Sequence, residues 1–317
     1  MKIWVTAGSG MEDIVNKIES VIRGFIPGER IFIDEPMKKH TTFRIGGPAD
    51  ILVKPSDIEQ IKRLCEECKK EGVPYIILGN GSNVLVSDDG IRGVVIVLLD
   101  NYGRIRVEGD VITAQAGARL SGIGAAALRA SLSGFEFACG IPGTLGGACI
   151  MNAGAYGGEM KDILLSVTAM DKNGNIREYE PHEMGLEYRN SRFAKEGLIV
   201  LEAGIQLKKG RQSEIEAAMK DLAARRKEKQ PLEFPSAGST FKRPEGCFAG
   251  KLIMDAGLRG FSVGDACVSE KHCGFVINKG AATAKDVCTL MHEVSDTVRE
   301  KFGVVLEPEV RIIGTEY

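Results

Sequence analysis

A glycine-rich loop between two apolar segments has the composition of a phosphate-binding loop. Residues 76–86 read Ile-Ile-Leu-Gly-Asn-Gly-Ser-Asn-Val-Leu-Val, and glycines without a Cβ allow backbone N–H groups to converge on an anion. A Rossmann dinucleotide site is excluded, because Val84 stands where the third glycine of that fingerprint belongs and no helical pattern follows. The side chains of Asn80, Ser82 and Asn83 favour a nucleotide diphosphate as ligand, and the alternative is a plain tight hairpin.

A second glycine cluster, residues 139–157, has the composition of a backbone that lies against a flat ligand. Between Gly143 and Gly147 only Leu145 is larger than threonine, so a ring system such as a flavin can approach the backbone directly. Neither cluster is a P-loop. The segment 246–251 also departs from that motif, because it is too short by a residue, and the sequence therefore does not support ATP hydrolysis.

Three further segments place polar side chains between turn residues. They read Glu-Tyr-Arg-Asn-Ser-Arg-Phe at 187–193, Ala-Gly-Ser-Thr-Phe-Lys-Arg-Pro at 237–244 and Leu-Glu-Pro-Glu-Val-Arg at 306–311. The second segment has the pattern of an exposed, positioned loop, with an ordinary solvated loop as the alternative. Glu309 in the third segment would, taken alone, be a surface carboxylate.

The cysteines and histidines indicate neither a disulfide framework nor a metal centre. Eight cysteines in a chain of this length without a secretory signal are typical of free thiols. Cys65 and Cys68 lack the second pair that a zinc site needs. Cys288 and His292 are spaced i, i+4, and His272 lies upstream, so a metal site is conceivable there, but we predict none.

Apolar periodicity, capping residues and turn residues predict the elements that must position these segments. The predicted helices are 11–25, 55–70, 120–130, 213–229, 249–256 and 284–301. Ser56 with Glu59, and Ser213 with Glu216, are the expected capping boxes. The predicted strands are 49–53, 73–78, 94–99, 105–107, 111–116, 166–171, 176–179, 198–207, 274–277 and 304–313, with a hairpin turn at 172–175. This mixed order predicts an α+β fold with a domain boundary near residues 208–212.

Composition narrows the class of protein. The 317 residues carry 41 basic and 43 acidic side chains, a balance that argues against nucleic acid as the main partner. The longest apolar run, Val94–Leu99, is far shorter than the ~20 residues of a membrane span, so we expect no membrane partner. The start of the chain, Met1-Lys2-Ile3-Trp4, lacks the apolar stretch of a signal peptide, and we expect a cytoplasmic monomer that acts on a small molecule.

Together these segments resemble the UDP-N-acetylenolpyruvoylglucosamine reductase family, flavoproteins of bacterial peptidoglycan precursor synthesis. The motifs that carry the resemblance lie in family order at residues 40–47, 79–86, 141–157, 188–191, 237–244 and 308–311. The resemblance implies a vanillyl-alcohol-oxidase/PCMH-type FAD-binding fold in two subdomains, residues 1–103 and 104–212, with a C-terminal α/β substrate-binding domain, residues 213–317. It further implies non-covalently bound FAD, NADPH as reductant, and reduction of an enolpyruvyl ether on UDP-GlcNAc to a lactyl ether.

The resemblance also implies residue roles. Arg189 would grip the substrate carboxylate and oppose its growing charge, Ser239 would protonate C2 after hydride addition at C3, and Glu309 would orient or polarise that end of the substrate. The implied substrate-binding residues are Tyr188, Lys229, Arg243 and His272. The implied cofactor-binding residues are Gly79, Asn80, Gly81, Ser82, Asn83, Gly140, Ile141, Pro142, Gly143, Thr144, Gly147, Asn152, Gly154 and Ala155.

The spacing from Arg189 to Ser239 is similar to that of the shorter subclass of the family, which lacks an inserted tyrosine loop. Arg243 stands where the longer subclass has an asparagine. Two other functions remain as alternatives. A flavin oxidase that uses oxygen and a small alcohol would share the fold, but the Arg189, Ser239 and Glu309 set argues against it. A non-catalytic nucleotide-binding protein would keep the glycine loops and lose that set.

Overall fold

The computed structural model describes residues 10–314, and side chains from residue 14 onward. Residues 1–9 and 315–317, and with them the start of the chain where we expect no signal peptide, lie outside the described residues. The helices are α1 Gly10–Arg23, α2 Ile58–Lys70, α3 Leu120–Arg129, α4 Leu145–Met151, α5 Arg192–Glu196, α6 Gln212–Lys229, α7 Ala249–Asp255 and α8 Ala284–Phe302.

The strands form three main sheets, which confirms the α+β class. They are β1 Ile31–Pro36, β2 Pro48–Val53, β3 Tyr75–Leu78, β4 Val84–Val86, β5 Ile91–Val97, β6 Ile105–Glu108, β7 Val111–Gln115, β8 Leu132–Ser133, β9 Gly154–Ala155, β10 Gly158–Glu159, β11 Leu164–Met170, β12 Ile176–Tyr179, β13 Ile199–Gln206, β14 Lys208–Lys209, β15 Ser236–Ser239, β16 Ser262–Val263, β17 Ala266–Val268, β18 Phe275–Asn278 and β19 Arg311–Ile313.

The first sheet has the order β1-β2-β5-β3, with β5 parallel to β2 and β3. Strands β2 and β5 are apolar and buried almost throughout, as parallel strands covered on both faces must be. The predicted helix beside this sheet is confirmed as α2, but its cap is not Ser56. Asp57 is the N-cap, and its carboxylate accepts from the Gln60 N–H at 2.8 Å, while Ser56 bonds the Gln60 side chain.

The second sheet has the order β12-β11-β13-β7-β6 and is antiparallel. The predicted hairpin is confirmed, because β11 pairs with β12 and Asp171 closes the turn by accepting from the N–H groups of Asn173 and Asn175 at 2.7 and 3.0 Å. One apolar core, with residues from Ile18 to Leu207, joins the first two sheets, and a smaller core that includes Met37, Leu52 and Val95 covers the other face of the first sheet.

The third sheet, β15-β18-β17-β16, packs with α7 and α8 around a second core. Helix α8 confirms the helix predicted at 284–301 and ends at the C-cap Gly303. Its N-terminus has a capping box between Thr283 and Asp286 that was not predicted from the sequence. The strand predicted at 304–313 is wrong over most of its length, because only Arg311–Ile313 is a strand. It pairs in parallel with β4, which ties the end of the chain to its first third.

Helix α6 is where predicted, yet its N-cap is Arg211 without a side-chain cap, so the expected Ser213–Glu216 box is wrong. Ser213 lies inside the first turn, where its hydroxyl cannot act as the N-cap. Helix α6 packs against α3, β8 and the short helical turn Glu136–Ala138. The boundaries predicted for the three domains remain predictions.

Contacts across the predicted boundaries fix the third sheet on the first. Asp88, just after β4, accepts from the N–H groups of Ala284 and Lys285 at 2.9 and 3.1 Å and so caps α8. The Asn278 side chain donates to the Phe43 carbonyl at 3.2 Å. These bonds and the β4–β19 pairing place the polar segment around Glu309 beside the first glycine loop.

Candidate active site

The loop between β3 and β4 is not a hairpin, which excludes the alternative interpretation of residues 79–83. Strand β3 pairs with β5 in the first sheet, whereas β4 pairs with β19. The chain therefore leaves one sheet at Leu78 and enters another at Val84. A loop that joins two sheets in this way is positioned from both sides.

Residues 79–83 and 140–147 form one surface, which we name the glycine cradle. The Asn80 amide donates to the Pro142 carbonyl at 2.7 Å and accepts from Arg119 at 3.2 Å. A Cβ on Gly79 would lie 2.3 Å from the Thr144 hydroxyl, so the two loops approach closely here and a larger residue would require Thr144 to move. Arg226, from α6, donates to the Gly140 carbonyl at the other end of the cradle.

The cradle glycines divide into two groups. Gly79 and Gly81 are required by neighbouring protein atoms: Gly81 has a φ of +59°, and a Cβ there would lie 2.1 Å from the His40 carbonyl oxygen. A Cβ on Gly143 or Gly147 would instead meet its nearest packing neighbour at 3.7 Å, an ordinary van der Waals distance. The first group builds the cradle, and the second leaves room for a ligand on it.

Three predicted cofactor-binding residues, Asn152, Gly154 and Ala155, lie outside the cradle. Asn152 is 1% exposed and its amide is satisfied by the Glu159 carboxylate, the Glu187 carbonyl and the Lys161 N–H, at 3.0, 3.2 and 2.9 Å. The Asn152 side chain therefore links segments of the protein to one another. Gly154 and Ala155 form a two-stranded hairpin with β10. A direct contact of these three residues with a cofactor remains a prediction.

Arg189 and Glu309, which are 120 residues apart in sequence, form an ion pair with 2.5 Å between the Arg189 Nε and a Glu309 oxygen. Backbone hydrogen bonds align three segments around it: the Glu309 N–H donates to the Thr240 carbonyl, and the Lys242 N–H to the Glu307 carbonyl, both at 2.8 Å. We name residues 188–189, 239–243 and 307–309 the charged seam.

Burial governs the electrostatics of the charged seam. The Glu309 side chain is 10% exposed, and desolvation raises the pKa of its carboxyl above the ordinary value, while the charges of Arg189 and Lys242 oppose that rise. The Arg189 side chain is 23% exposed, so part of its guanidinium faces the solvent. The pair therefore fixes the Arg189 guanidinium at the solvent-facing edge of a site from which water is partly excluded.

The charged seam abuts the glycine cradle. The Asn83 amide donates to the Glu309 carbonyl at 3.1 Å, and the Arg311 N–H donates to the Asn83 carbonyl at 3.0 Å. Ser239 ends β15 opposite Phe275, next to Thr240, which bonds the Glu309 backbone. No hydrogen bond joins the Ser239 hydroxyl to another group in the described part of the chain, so this hydroxyl is available to a ligand.

Three of the four predicted substrate residues lie along the seam. The Tyr188 hydroxyl accepts from the Arg243 N–H at 3.2 Å, and its ring lies 5.1 Å from the Arg189 guanidinium carbon. His272 accepts from the Gly274 N–H at 3.1 Å, beside the strand that pairs with Ser239. Lys229 is exposed at the end of α6, and among residues 10–314 no hydrogen bond or ion pair joins it to the seam.

Comparison with known proteins decides the family. A family model described as the UDP-N-acetylenolpyruvoylglucosamine reductase C-terminal domain matches residues 230–313, and one described as an FAD binding domain matches residues 49–180. The reductase of that name from Clostridioides difficile (strain 630) is 56% identical over 288 residues, which cover 91% of this chain and 95% of the relative. That from Syntrophomonas wolfei is 53% identical over 297 residues, covering 94% and 99%.

The chain belongs to the UDP-N-acetylenolpyruvoylglucosamine reductase family. The crystal structure of UDP-N-acetylenolpyruvylglucosamine reductase from Thermus caldophilus is 38% identical, with a TM-score of 0.77 over 88% of this chain and 98% of that one. The expected FAD-binding fold is confirmed, because the matching domain spans β2 to β12 and contains the whole glycine cradle. The chain is an FAD-binding oxidoreductase of the reductase family.

Sequence reasoning missed several residues that shape this reductase site. The charge of Lys242 opposes the rise that burial causes in the pKa of Glu309. Lys242 lies inside a segment that the sequence singled out, so its charge was a usable signal. Arg226 lies in a charged stretch of α6, and Arg119 lies in a stretch of small and apolar residues. Neither has a sequence pattern that indicates its contact with the cradle. No helix within residues 10–314 is long and apolar enough to cross a membrane.

Proposed function

We propose that this chain reduces UDP-N-acetylenolpyruvylglucosamine to UDP-N-acetylmuramate, converting the enolpyruvyl ether to a lactyl ether with NADPH as the reductant. The observation that carries the proposal is the Arg189–Glu309 pair, 2.5 Å apart, on a seam that also contains Ser239 and abuts the glycine cradle. Membership of the reductase family supports the same reaction.

The glycine cradle fits a non-covalently bound FAD. The open positions at Gly143 and Gly147 leave room for a ligand against the backbone, and the neighbouring Ser82 hydroxyl and Asn80 amide are polar groups suited to its diphosphate. A polar cavity of about 340 Å³ opens beside Asn80 and Arg119. Bound FAD supplies the hydride that it receives from NADPH. The cradle residues would hold the cofactor next to the seam, because Asn83 of the cradle bonds the Glu309 carbonyl.

Arg189 is suited to stabilise the charge that hydride addition creates. A hydride added at C3 of the enolpyruvyl group leaves negative charge at C2 that spreads into the carboxylate. The Arg189 Nε donates to Glu309, and within residues 10–314 no hydrogen bond engages its two terminal nitrogens, which could therefore grip a carboxylate bidentately. A fixed cation at this position opposes the developing charge without reorganising during the reaction.

Ser239 is suited to protonate C2. Its hydroxyl has no partner among the described residues, and its neighbour Thr240 is bonded to the Glu309 backbone at 2.8 Å, so the serine is held beside the charged pair. Serine is a weak acid, but a carbanionic C2 is a strong base, so the transfer runs downhill once the two atoms are aligned. The rest of the sugar nucleotide would be contacted by the other predicted substrate residues, which are Tyr188, Lys229, Arg243 and His272.

The experiment that tests this function is an anaerobic absorption titration of the purified protein. We expect a flavin spectrum that bleaches on addition of NADPH and returns on addition of UDP-N-acetylenolpyruvylglucosamine. A protein that is colourless and takes up no added FAD would contradict the proposal. A flavin that bleaches but is restored only by oxygen would indicate the oxidase alternative instead.

A further inference from the structure

Phe248 is an aromatic side chain that the fold leaves in solvent. It immediately precedes α7 and is 59% exposed, more than any other phenylalanine in the described part of the chain. The guanidinium carbon of Arg243 lies 4.0 Å from the centre of its ring, so one face of the ring carries a cation. Phe248 is not part of the apolar core of the third sheet, so the rest of its ring is not packed in that core.

A continuous series of contacts joins Phe248 to the charged seam. Arg189, paired with Glu309, lies 5.1 Å from the Tyr188 ring. The Tyr188 hydroxyl accepts from the Arg243 N–H at 3.2 Å, and the Arg243 side chain stacks on Phe248. Phe248 is thus the far end of a row that begins at the reacting residues.

The order of groups along this row matches the order of groups in a sugar nucleotide, so the argument rests on the proposed function. A carboxylate at Arg189 would place the sugar next to Tyr188 and the diphosphate near the cation of Arg243. The base is then the group that lies beyond the phosphates. Bases stack on exposed aromatic rings, and an arginine on the ring strengthens the contact.

We propose that Phe248, with Arg243 stacked on it, is the platform for the uracil base of the substrate. Phe248 touches no reacting atom in this arrangement, so it sets affinity for the nucleotide and leaves the chemical step unchanged. The row also explains why Arg243 is held by two neighbours: it bonds the Cys247 carbonyl at 3.4 Å and stacks on Phe248, which fixes its charge between base and seam.

The test uses the FAD-loaded protein and calorimetric titration with UMP and with ribose 5-phosphate, which lacks the base. We expect Phe248→Leu to weaken UMP binding by about 10-fold and to leave ribose 5-phosphate binding unchanged. Phe248→Trp should retain UMP binding. With the full substrate, Phe248→Leu should raise KM by a similar factor while kcat stays within about 2-fold.

Phe302→Leu is the matched control, because Phe302 is 40% exposed at the end of α8 and lies outside the row. The proposal is overturned if Phe248→Leu binds UMP like the parent, if ribose 5-phosphate loses affinity equally, or if the control loses UMP to the same extent. An affinity loss confined to adenosine 2′,5′-bisphosphate would assign the ring to NADPH and also overturn it. Failure of the parent to turn over the enolpyruvyl substrate would count against the proposed function instead.

Discussion

The glycine cradle and the charged seam lie side by side but are built from different interactions. The cradle is joined by close glycine contacts and by hydrogen bonds to neutral acceptors, such as those from Asn80 and Arg226 to backbone carbonyls. The seam is joined by a mostly buried ion pair between Arg189 and Glu309. Hydrogen bonds from amides and guanidinium groups to neutral oxygens hold their shape at ordinary pH, whereas a buried pair that contains a carboxylate changes with protonation. Binding and chemistry are therefore separable in this molecule.

Because of this contrast, we expect substitutions in the seam and substitutions in the cradle to have different effects. Changes in the seam should alter the rate at which substrate reoxidises the flavin and leave FAD binding intact. Changes in the cradle should weaken FAD binding and the fold itself. Asn83 is the point where the two regions touch, since its amide bonds the Glu309 carbonyl at 3.1 Å.

The largest effect is expected from Ser239→Ala. Without the proposed proton donor, reoxidation of the flavin by the sugar nucleotide should slow by about 1,000-fold, while reduction by NADPH stays nearly normal. Stopped-flow absorbance measures the two half-reactions separately. Ser262→Ala, in β16, is the control and should match the parent. Full turnover of Ser239→Ala would refute the assigned role.

Arg189→Lys should slow the same half-reaction by about 100-fold. A lysine keeps the charge but loses the bidentate grip on a carboxylate. Arg192→Lys is a close control, because Arg192 pairs with Glu196 at 2.7 Å outside the seam. Retention of the parental rate by Arg189→Lys would show that the charge alone is sufficient and that the geometry of the pair is not used.

Gly81→Ala probes the cradle. A Cβ there would overlap the His40 carbonyl at 2.1 Å, and the residue has a φ of +59°, so we expect a loss of about 2 kcal/mol in stability and weaker FAD retention. Thermal melting with and without added FAD measures both. Gly109→Ala shares a positive φ of +64° but has nothing within 4 Å, so it isolates the backbone strain. If Gly81→Ala and Gly109→Ala lose equal stability, backbone strain alone explains the effect and the close contact of Gly81 with the His40 carbonyl contributes nothing.

The smallest effect concerns pH. Because the pKa of Glu309 is raised above 4.5, we expect activity to fall on acidification at a higher pH than an ordinary glutamate would give. Stability should change in the opposite sense: the folded state binds the proton more tightly, so this group's contribution declines as pH rises from 4.5 through the raised pKa. Glu309→Gln should remove both trends. Rate profiles and melting curves that keep them in this variant would point to another group.

Local signals predicted much of this fold. Helices α2, α3, α6 and α8 and the hairpin at 172–175 follow from periodicity and turn residues within short windows. Caps were less predictable, because Ser56 and Asp57 are adjacent cap formers and only the geometry selects Asp57. The strand at 304–313 was predicted from β-branched residues, but only the part that finds a partner in β4 is a strand.

The candidate site was predictable as a set of segments and not as an arrangement. The glycine loops and the polar segments around Arg189, Ser239 and Glu309 are visible in the sequence and in its resemblance to a family. The row from Tyr188 to Phe248 depends on a Tyr188–Arg243 contact across 55 residues, and the Arg226 contact with Gly140 spans 86 residues. Contacts between residues so far apart in the chain produce no periodicity or motif in the sequence around either residue.

The pairing of β19 with β4 has a consequence for synthesis of the protein. Strand β4 emerges from the ribosome early, and its partner β19 emerges more than 200 residues later. Until then the edge of β4 has no native partner, and Glu309, just before β19, has no fixed position. A chain released before residue 311 would contain every glycine loop and yet lack the anchored carboxylate. The charged seam is therefore complete only after residues 311–313 have been translated and have paired with β4.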